Sequence, residues 1–284
     1  MKICIAGLGL IGGSVCMSLK RAGYLVGGYN RSKGALSYAL KNRIIDEEVT
    51  SFEDFDVVFV ALPPKVTVDF ILNTPFKEGA IVCDLCGVKG FIEDAVYAAQ
   101  RNFRYVGAHP MAGKEVSGIE NACADLFDKA SMVITHGEKT ESSAVEIIKK
   151  LVKDMGFKYI VECSAELHDR KIAYTSQLAH VVSNCYVNDP EIDGCLGFTG
   201  GSFQDMTRIA GVDEAMWAQL FCANSENLIK KAENIKESLD KFISALKSGD
   251  ESRVKEVFSV GAKAYRDGKA ENFKGYGITV TNLK

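Results

Sequence analysis

Only four histidines occur in the 284 residues, and one of them stands in the stretch Gly107-Ala108-His109-Pro110-Met111-Ala112-Gly113. A short apolar run, Tyr105-Val106, precedes it. His109 therefore falls just past an expected strand end, fixed by a proline and flanked by glycines. An imidazole exchanges a proton near neutral pH, and a strand end is where a ligand meets the chain, so this placement suits a general base. The competing reading is a structural histidine in a tight turn, and only the surrounding elements decide between them.

A second constellation lies at the amino terminus. Ile3 to Ala6 is a continuous apolar run of the kind a buried parallel strand shows. Gly7-Leu8-Gly9-Leu10-Ile11-Gly12 follows, then a helical pattern from Ile11 to about Ala22 and a second strand from Leu25 to Tyr29. In this β-turn-α-β unit Gly7 permits the tight turn, Gly9 lets the backbone approach a pyrophosphate, and Gly12 lets helix and strand pack closely. The helix amino terminus then faces phosphate charge. After the second strand, NAD binders usually carry an acidic residue for the ribose hydroxyls. Here the sequence reads Tyr29-Asn30-Arg31-Ser32. Asn30 is neutral, Arg31 suits a 2′-phosphate and Ser32 can donate to it, so NADP is expected ahead of NAD. Ser32 also fits as a cap of the next helix, with Arg31 simply solvated.

The elements that must position these residues repeat an α/β alternation. Helices are expected over 32–43, 66–73 and 91–100, with strands over 56–62, 80–84 and 104–108. A parallel sheet with helices on both faces follows from that pattern. Leu62-Pro63-Pro64, Cys86-Gly87 and His109-Pro110 all fall at carboxyl ends of strands, where such sheets bind ligands. His109 thus shares a rim with the cofactor. Further α/β segments are expected over 121–127, 131–135, 142–155 and 157–161. From Ala165 long helical patterns take over: 165–187, 215–246 and 252–266. The expected plan is a nucleotide-binding domain over 1–164 and an all-helical domain over 165–284, which completes its core as a homodimer.

Bulk composition limits the classes. Net charge is −3 and no basic stripe is present, so nucleic acid is not the expected partner. No apolar run has the length of a membrane span, and no signal peptide is read at the amino terminus, so a cytoplasmic protein is expected. Cys83 and Cys86 have CxxC spacing but lack a second pair or nearby histidines, so no metal site is expected and reduced, buried thiols are the reading.

With these motifs in order, the chain resembles the prephenate dehydrogenase family over nearly its whole length. The resemblance is carried by GLGLIGGS (7–14), DLCGVK (84–89), GAHPMAGKEVSG (107–118), SQLAHVVSN (176–184), GGSFQDMTRIA (200–210) and MWAQLFCAN (216–224). It implies oxidative decarboxylation of prephenate by NAD(P)⁺ to 4-hydroxyphenylpyruvate, in a homodimer of a Rossmann-type α/β domain and an all-α dimerisation domain. It also implies His109 as the base and Arg208 as the anchor of the substrate carboxylate, a role that a planar guanidinium suits. Asp205, three residues earlier, is placed to orient that group. By the same resemblance His180, Gly201, Lys114 and Trp217 belong to the substrate side. His180 also reads as a core histidine, and Trp217 as a core residue.

Two positions depart from the family pattern. Where the family usually shows a serine, in D-x-G-S-V-K, this chain has Gly87, so a backbone N–H, water or Cys86 must replace that hydroxyl. Lys114 stands where threonine is frequent. Rival functions are arogenate dehydrogenase, a β-hydroxyacid dehydrogenase using a lysine such as Lys171, and a non-catalytic nucleotide sensor. The chain ends soon after the last helical pattern, so no appended regulatory module is expected.

Overall fold

The structure is a computed structural model describing residues 1–114, 116–268 and 278–283. Glu115 of the matched stretch 107–118, and residues 269–277 and 284 of the expected second domain, lie outside the described residues.

The chain opens with β1 (Ile3–Ala6), α1 (Leu10–Arg21), β2 (Val26–Tyr29), α2 (Lys33–Lys41), β3 (Glu47–Glu48) and β4 (Val57–Val60). It continues through α3 (Pro64–Asn73), β5 (Ile81–Asp84), α4 (Gly90–Ala98), β6 (Arg104–Pro110), β7 (Ser131–Thr135), α5 (Ser142–Asp154) and β8 (Tyr159–Cys163). Every residue of β1, β4 and β5 is buried, as the apolar runs of β1 and β4, and of β5 up to Asp84, require of strands covered on both faces. Helix α5 buries the stripe Ala144, Val145, Ile148, Leu151 and Val152, each larger aliphatic contributing about 1.5–3 kcal/mol of burial.

The strands form one sheet in the order β3-β2-β1-β4-β5-β6-β7-β8, extended at its far edge by β9 (Thr279–Asn282). Strands β1 to β6 pair in parallel, but β7 runs antiparallel to β6. The expected all-parallel sheet is therefore a mixed one. A parallel return needs a crossover unit, and among the described residues between Pro110 and Ser131 the only helical element is a single 3₁₀ turn, Ile119–Asn121.

Ser164 caps α6 (Ala165–Ile172), its Oγ accepting the Leu167 amide at 3.2 Å. The helical run expected over 165–187 is present but not uniform. A π-helical turn, Ala173–Gln177, separates α6 from α7 (Leu178–Val187), the kind of widening that recurs at functional sites. Next come α8 (Gly201–Thr207), α9 (Glu214–Ala223), α10 (Ser225–Ser248) and α11 (Glu251–Gly268). The single helix expected over 215–246 is broken at Asn224, which leaves helical geometry with φ −128° and ψ 28°. Its buried amide instead donates to the Asp169 carbonyl at 2.9 Å and to Gln177 Oε1 at 2.8 Å.

Assigning everything after residue 164 to a helical domain also needs correction. Strand β9 returns to the sheet and pairs antiparallel with β8, Thr281 opposite Ile160.

Candidate active site

The glycine turn after β1 is shaped by contacts that exclude side chains. Gly7 has φ +99°, and a Cβ there would lie 2.3 Å from the Ala61 carbonyl oxygen; one at Gly12 would lie 1.8 Å from the Gly7 oxygen. Gly9, the residue just before α1, has open space where its Cβ would be. Open backbone at a helix amino terminus is what a pyrophosphate requires, so Gly7, Leu8, Gly9, Leu10, Ile11 and Gly12 fit a dinucleotide. Asn30 braces this turn, its Oδ1 accepting the Leu8 amide at 3.0 Å. Ser32 takes the capping role, accepting the Ala35 amide at 3.5 Å, with exposed Arg31 just before it. Leu62, Pro63 and Pro64 stand at the end of β4, where Pro64 opens α3 and Thr67 Oγ1 ties back to the Leu62 carbonyl at 2.9 Å.

His109 lies near the end of β6, its ring partly open to the cleft. Its Nδ1 is 2.9 Å from His168 Nε2, and His168 Nδ1 is 2.7 Å from Asp169 Oδ1. This line fixes the tautomers. The Asp169 carboxylate only accepts, so the neutral His168 ring carries its proton on Nδ1, and its Nε2 accepts from His109 Nδ1–H. The lone pair of His109 is thereby left on Nε2. A Cβ at Gly87 would lie 3.7 Å from that Nε2 and 3.4 Å from Leu220 Cδ2, so the basic nitrogen faces the gap between β5's end and α9. The missing serine hydroxyl would have entered this gap. Orientation comes instead from Nδ1, on the opposite edge of the ring.

Asp169 is itself held. Its carboxylate accepts the backbone amides of Lys89 and Gly90, both at 2.8 Å. The fully buried Lys89 ammonium pairs with Asp84 and donates to the Ala108 carbonyl, immediately before His109, at 2.7 Å. Tyr105 Oη donates to the other Asp84 oxygen at 2.6 Å. Burial, His168 and the Lys89 cation hold the His109 pKa well below the ordinary imidazole value. Burial also lowers that of His168, with Asp169 working in the opposite direction. A base that stays unprotonated at neutral pH is the result.

The helical half closes the gap from the other side. Gln177, at the end of the π turn, donates to the Leu220 carbonyl at 3.1 Å. About one helical turn along, the rings of His180 and Trp217 meet with centroids 3.9 Å apart. His180 Nδ1 donates to the Ile209 carbonyl at 2.8 Å, and Ser183 Oγ to the Met206 carbonyl at 2.5 Å. These bonds lay the end of α8, and with it Arg208, against α7. The structure thus brings His180 against Trp217, and sets the backbone at the end of α8, which carries Arg208, on α7.

Gly201 opens α8, seven residues and about 10 Å from Arg208. Lys114 turns towards the 3₁₀ segment, its ammonium 3.3 Å from the Asn121 carbonyl and 3.2 Å from Cys123 Sγ. Cys83 and Cys86 are free and buried; burial pushes the Cys86 thiol up to about 11. Sequence reasoning missed His168, Asp169, Lys89 and Asp84. For the first two a signal was present: the adjacent His-Asp pair lies on the same α6 stripe as Leu167 and Ile172.

Comparison with known proteins covers both halves of the chain. Residues 15–161 match the nucleotide-binding domain of prephenate dehydrogenase, and residues 164–260 match the prephenate dehydrogenase dimerization domain. A Bacillus subtilis prephenate dehydrogenase is 31% identical over 290 residues, covering 96% of this chain and 77% of its own. A Zymomonas mobilis cyclohexadienyl dehydrogenase is 27% identical, covering 92% of this chain and 94% of its own. The Aquifex aeolicus prephenate dehydrogenase solved with hydroxyphenyl propionate and NAD⁺ superposes with a TM-score of 0.81 at 31% identity, covering 94% of this chain and 98% of that one. On its two matched domains and its full-length relatives, the chain belongs to the prephenate dehydrogenase family.

Proposed function

We propose that this chain oxidatively decarboxylates prephenate to 4-hydroxyphenylpyruvate, with NADP⁺ preferred as the acceptor. The observation that carries the reading is the His109–His168–Asp169 line, which leaves a lone pair on His109 Nε2 facing the gap beneath α9. His109 takes the proton of the ring hydroxyl at C4 as the carbon bearing it is oxidised to a carbonyl. The ring carboxylate leaves as carbon dioxide and the ring becomes aromatic. A bound nicotinamide supplies the hydride acceptor. Arg208 anchors a substrate carboxylate, and Trp217 with His180 covers the side chain.

The NADP preference rests on Asn30, which uses its carbonyl oxygen on Leu8, and on Arg31 beside the start of α2. No carboxylate stands at the Asn30 position to repel a 2′-phosphate. Dimerisation is supported by an uncovered apolar face: Leu239, Ile243 and Leu246 on α10 and Phe258 on α11 are 45–66% exposed. A second copy of the chain would cover it.

His180 favours a second reading. With Nδ1–H donated to Ile209, the neutral ring offers an acceptor at Nε2, which suits the ammonium of arogenate better than the keto group of prephenate. Reduction of NADP⁺ and NAD⁺, each with prephenate and with arogenate, tests both. Turnover with prephenate and NADP⁺ at the highest kcat/KM is expected; no turnover with either substrate overturns the assignment.

A further inference from the structure

Where β9 lands on the sheet bears on the histidine pair. Its register sets Thr279 opposite Glu162 and Val280 opposite Val161. Ile278 therefore arrives beside Cys163, at the end of β8 from which α6 departs. There it packs on a small apolar cluster of Val133, Cys163 and Leu167, which are 9%, 8% and 7% exposed with it in place. Two of these residues flank the catalytic pair. Val133 is the cross-strand partner of His109 in the β6–β7 ladder, a pairing that sets both side chains on one face about 5 Å apart. Leu167 directly precedes His168 on α6.

We propose that β9 is a clasp for the catalytic pair: Ile278, seated beside Cys163 on the cluster that also holds Val133 and Leu167, keeps β7 and α6 packed together and so keeps His109 and His168 in hydrogen-bond register. The inference rests on the reading of His109 as the base. Ile278 is a positioning residue, acting through the neighbour of each ring. At a separation of 2.9 Å the two rings tolerate little relative movement, and a shift of about 1 Å can cost up to about 10²-fold in rate. The charged and titratable groups facing the rings are Lys89 at the start of α4, Asp84 from β5 and Asp169 from α6. None comes from β9, whose described residues, Ile278 to Leu283, are all un-ionisable. Trimming Ile278 thus changes packing and hydration around the rings but no nearby charge.

The test is Ile278→Ala in the full chain, with kcat, both KM values and the pH dependence of kcat measured on prephenate and NADP⁺. Thr281→Ala, on the other side of the same strand, is the control. We expect Ile278→Ala to lower kcat roughly tenfold with both KM values within about twofold. The acid limb of kcat should rise by about half a pH unit or more, because water reaching the rings relieves their desolvation. Thr281→Ala should leave both unchanged. Wild-type kcat and an unmoved acid limb in Ile278→Ala, even with a lower Tm, would overturn the clasp. Should that variant not fold, Ile278→Val decides: a smaller loss with the same upward shift supports the clasp, and unchanged values overturn it. His109→Asn is run alongside; full activity there overturns the base assignment itself, and the clasp with it.

Discussion

His109 and His168 meet at 2.9 Å across the joint between the sheet and the first helix of the second half, and Asp169 closes the line at 2.7 Å. The order of the three groups sets their tasks. Only His109 borders the cleft; His168 is buried and transmits the carboxylate's control of the tautomer. Replacing His109 with Asn should lower kcat by roughly 10²–10⁴-fold with KM nearly unchanged. Asp169→Asn should also act on kcat, by about 10-fold or more, since an amide no longer demands Nδ1–H from His168. Steady-state kinetics on both variants checks the pair; equal effects on KM and none on kcat would exclude the relay.

The pH profile carries a sign. As the proposed base His109 must be unprotonated, and burial, His168 and Lys89 all lower its pKa. The acid limb of kcat is therefore expected below pH 6.5, with activity level from there through neutrality. A limb above pH 7 would contradict the environment described.

On the proposed role of Arg208 as substrate anchor, Arg208→Ala removes a charge-assisted contact worth about 1.5–3 kcal/mol. KM for the substrate should rise roughly 10- to 100-fold, with the cofactor KM unmoved. A loss confined to kcat would assign the guanidinium another role.

Lys89→Met tests the buried ion pair. Asp84 would keep its bonds from Tyr105 and the Cys86 amide but lose its counter-charge in a fully buried site. Breaking such a pair costs about 3–5 kcal/mol, so a marked fall in the denaturant midpoint is expected.

Glu93, on α4 behind the same cluster, gives a stability test. Burial first, then the charge of Asp94, pushes its carboxyl up to about 7, and its Oε2 is buried without a hydrogen-bond partner among the described residues. A carboxyl whose pKa is raised by folding favours the native state at low pH and costs stability as pH climbs from about 4.5 to about 7. Glu93→Gln should therefore raise Tm at pH 8 and leave it nearly unchanged at pH 4.5. Thermal unfolding at the two pH values decides.

Much of this was legible in the sequence where the signal is local. The glycine turn, the α/β alternation and the placement of His109 at a strand end follow from residues within about thirty positions of one another. What escaped depends on distant partners. Asn224 breaks a helix that periodicity carries straight through, because its amide finds Asp169 and Gln177 some fifty residues away. Nothing in the sequence marks Lys89 as buried; its pairing with Asp84 on β5 and the Ala108 carbonyl on β6 does. The strand Thr279-Val280-Thr281-Asn282 is β-branched enough to be read as one, yet nothing near it names β8 as its neighbour. The reversal of β7 is legible only as an absence, the missing crossover helix after Pro110.

That reversal has one more consequence. The segment from Met111 to Ala130 leaves the base and crosses onto the first turns of α1, where the Cys123 amide bonds Ser14 Oγ at 3.1 Å. A Cβ on Gly13 would come within 2.8 Å of that of Ala122. Surface connections usually tolerate insertions and drift in length. This one is pinned at Met111, just past the proposed base, and again at Cys123, to the helix proposed to seat the nucleotide. Its length is part of the active site: a residue gained or lost between Met111 and Cys123 would disturb both at once.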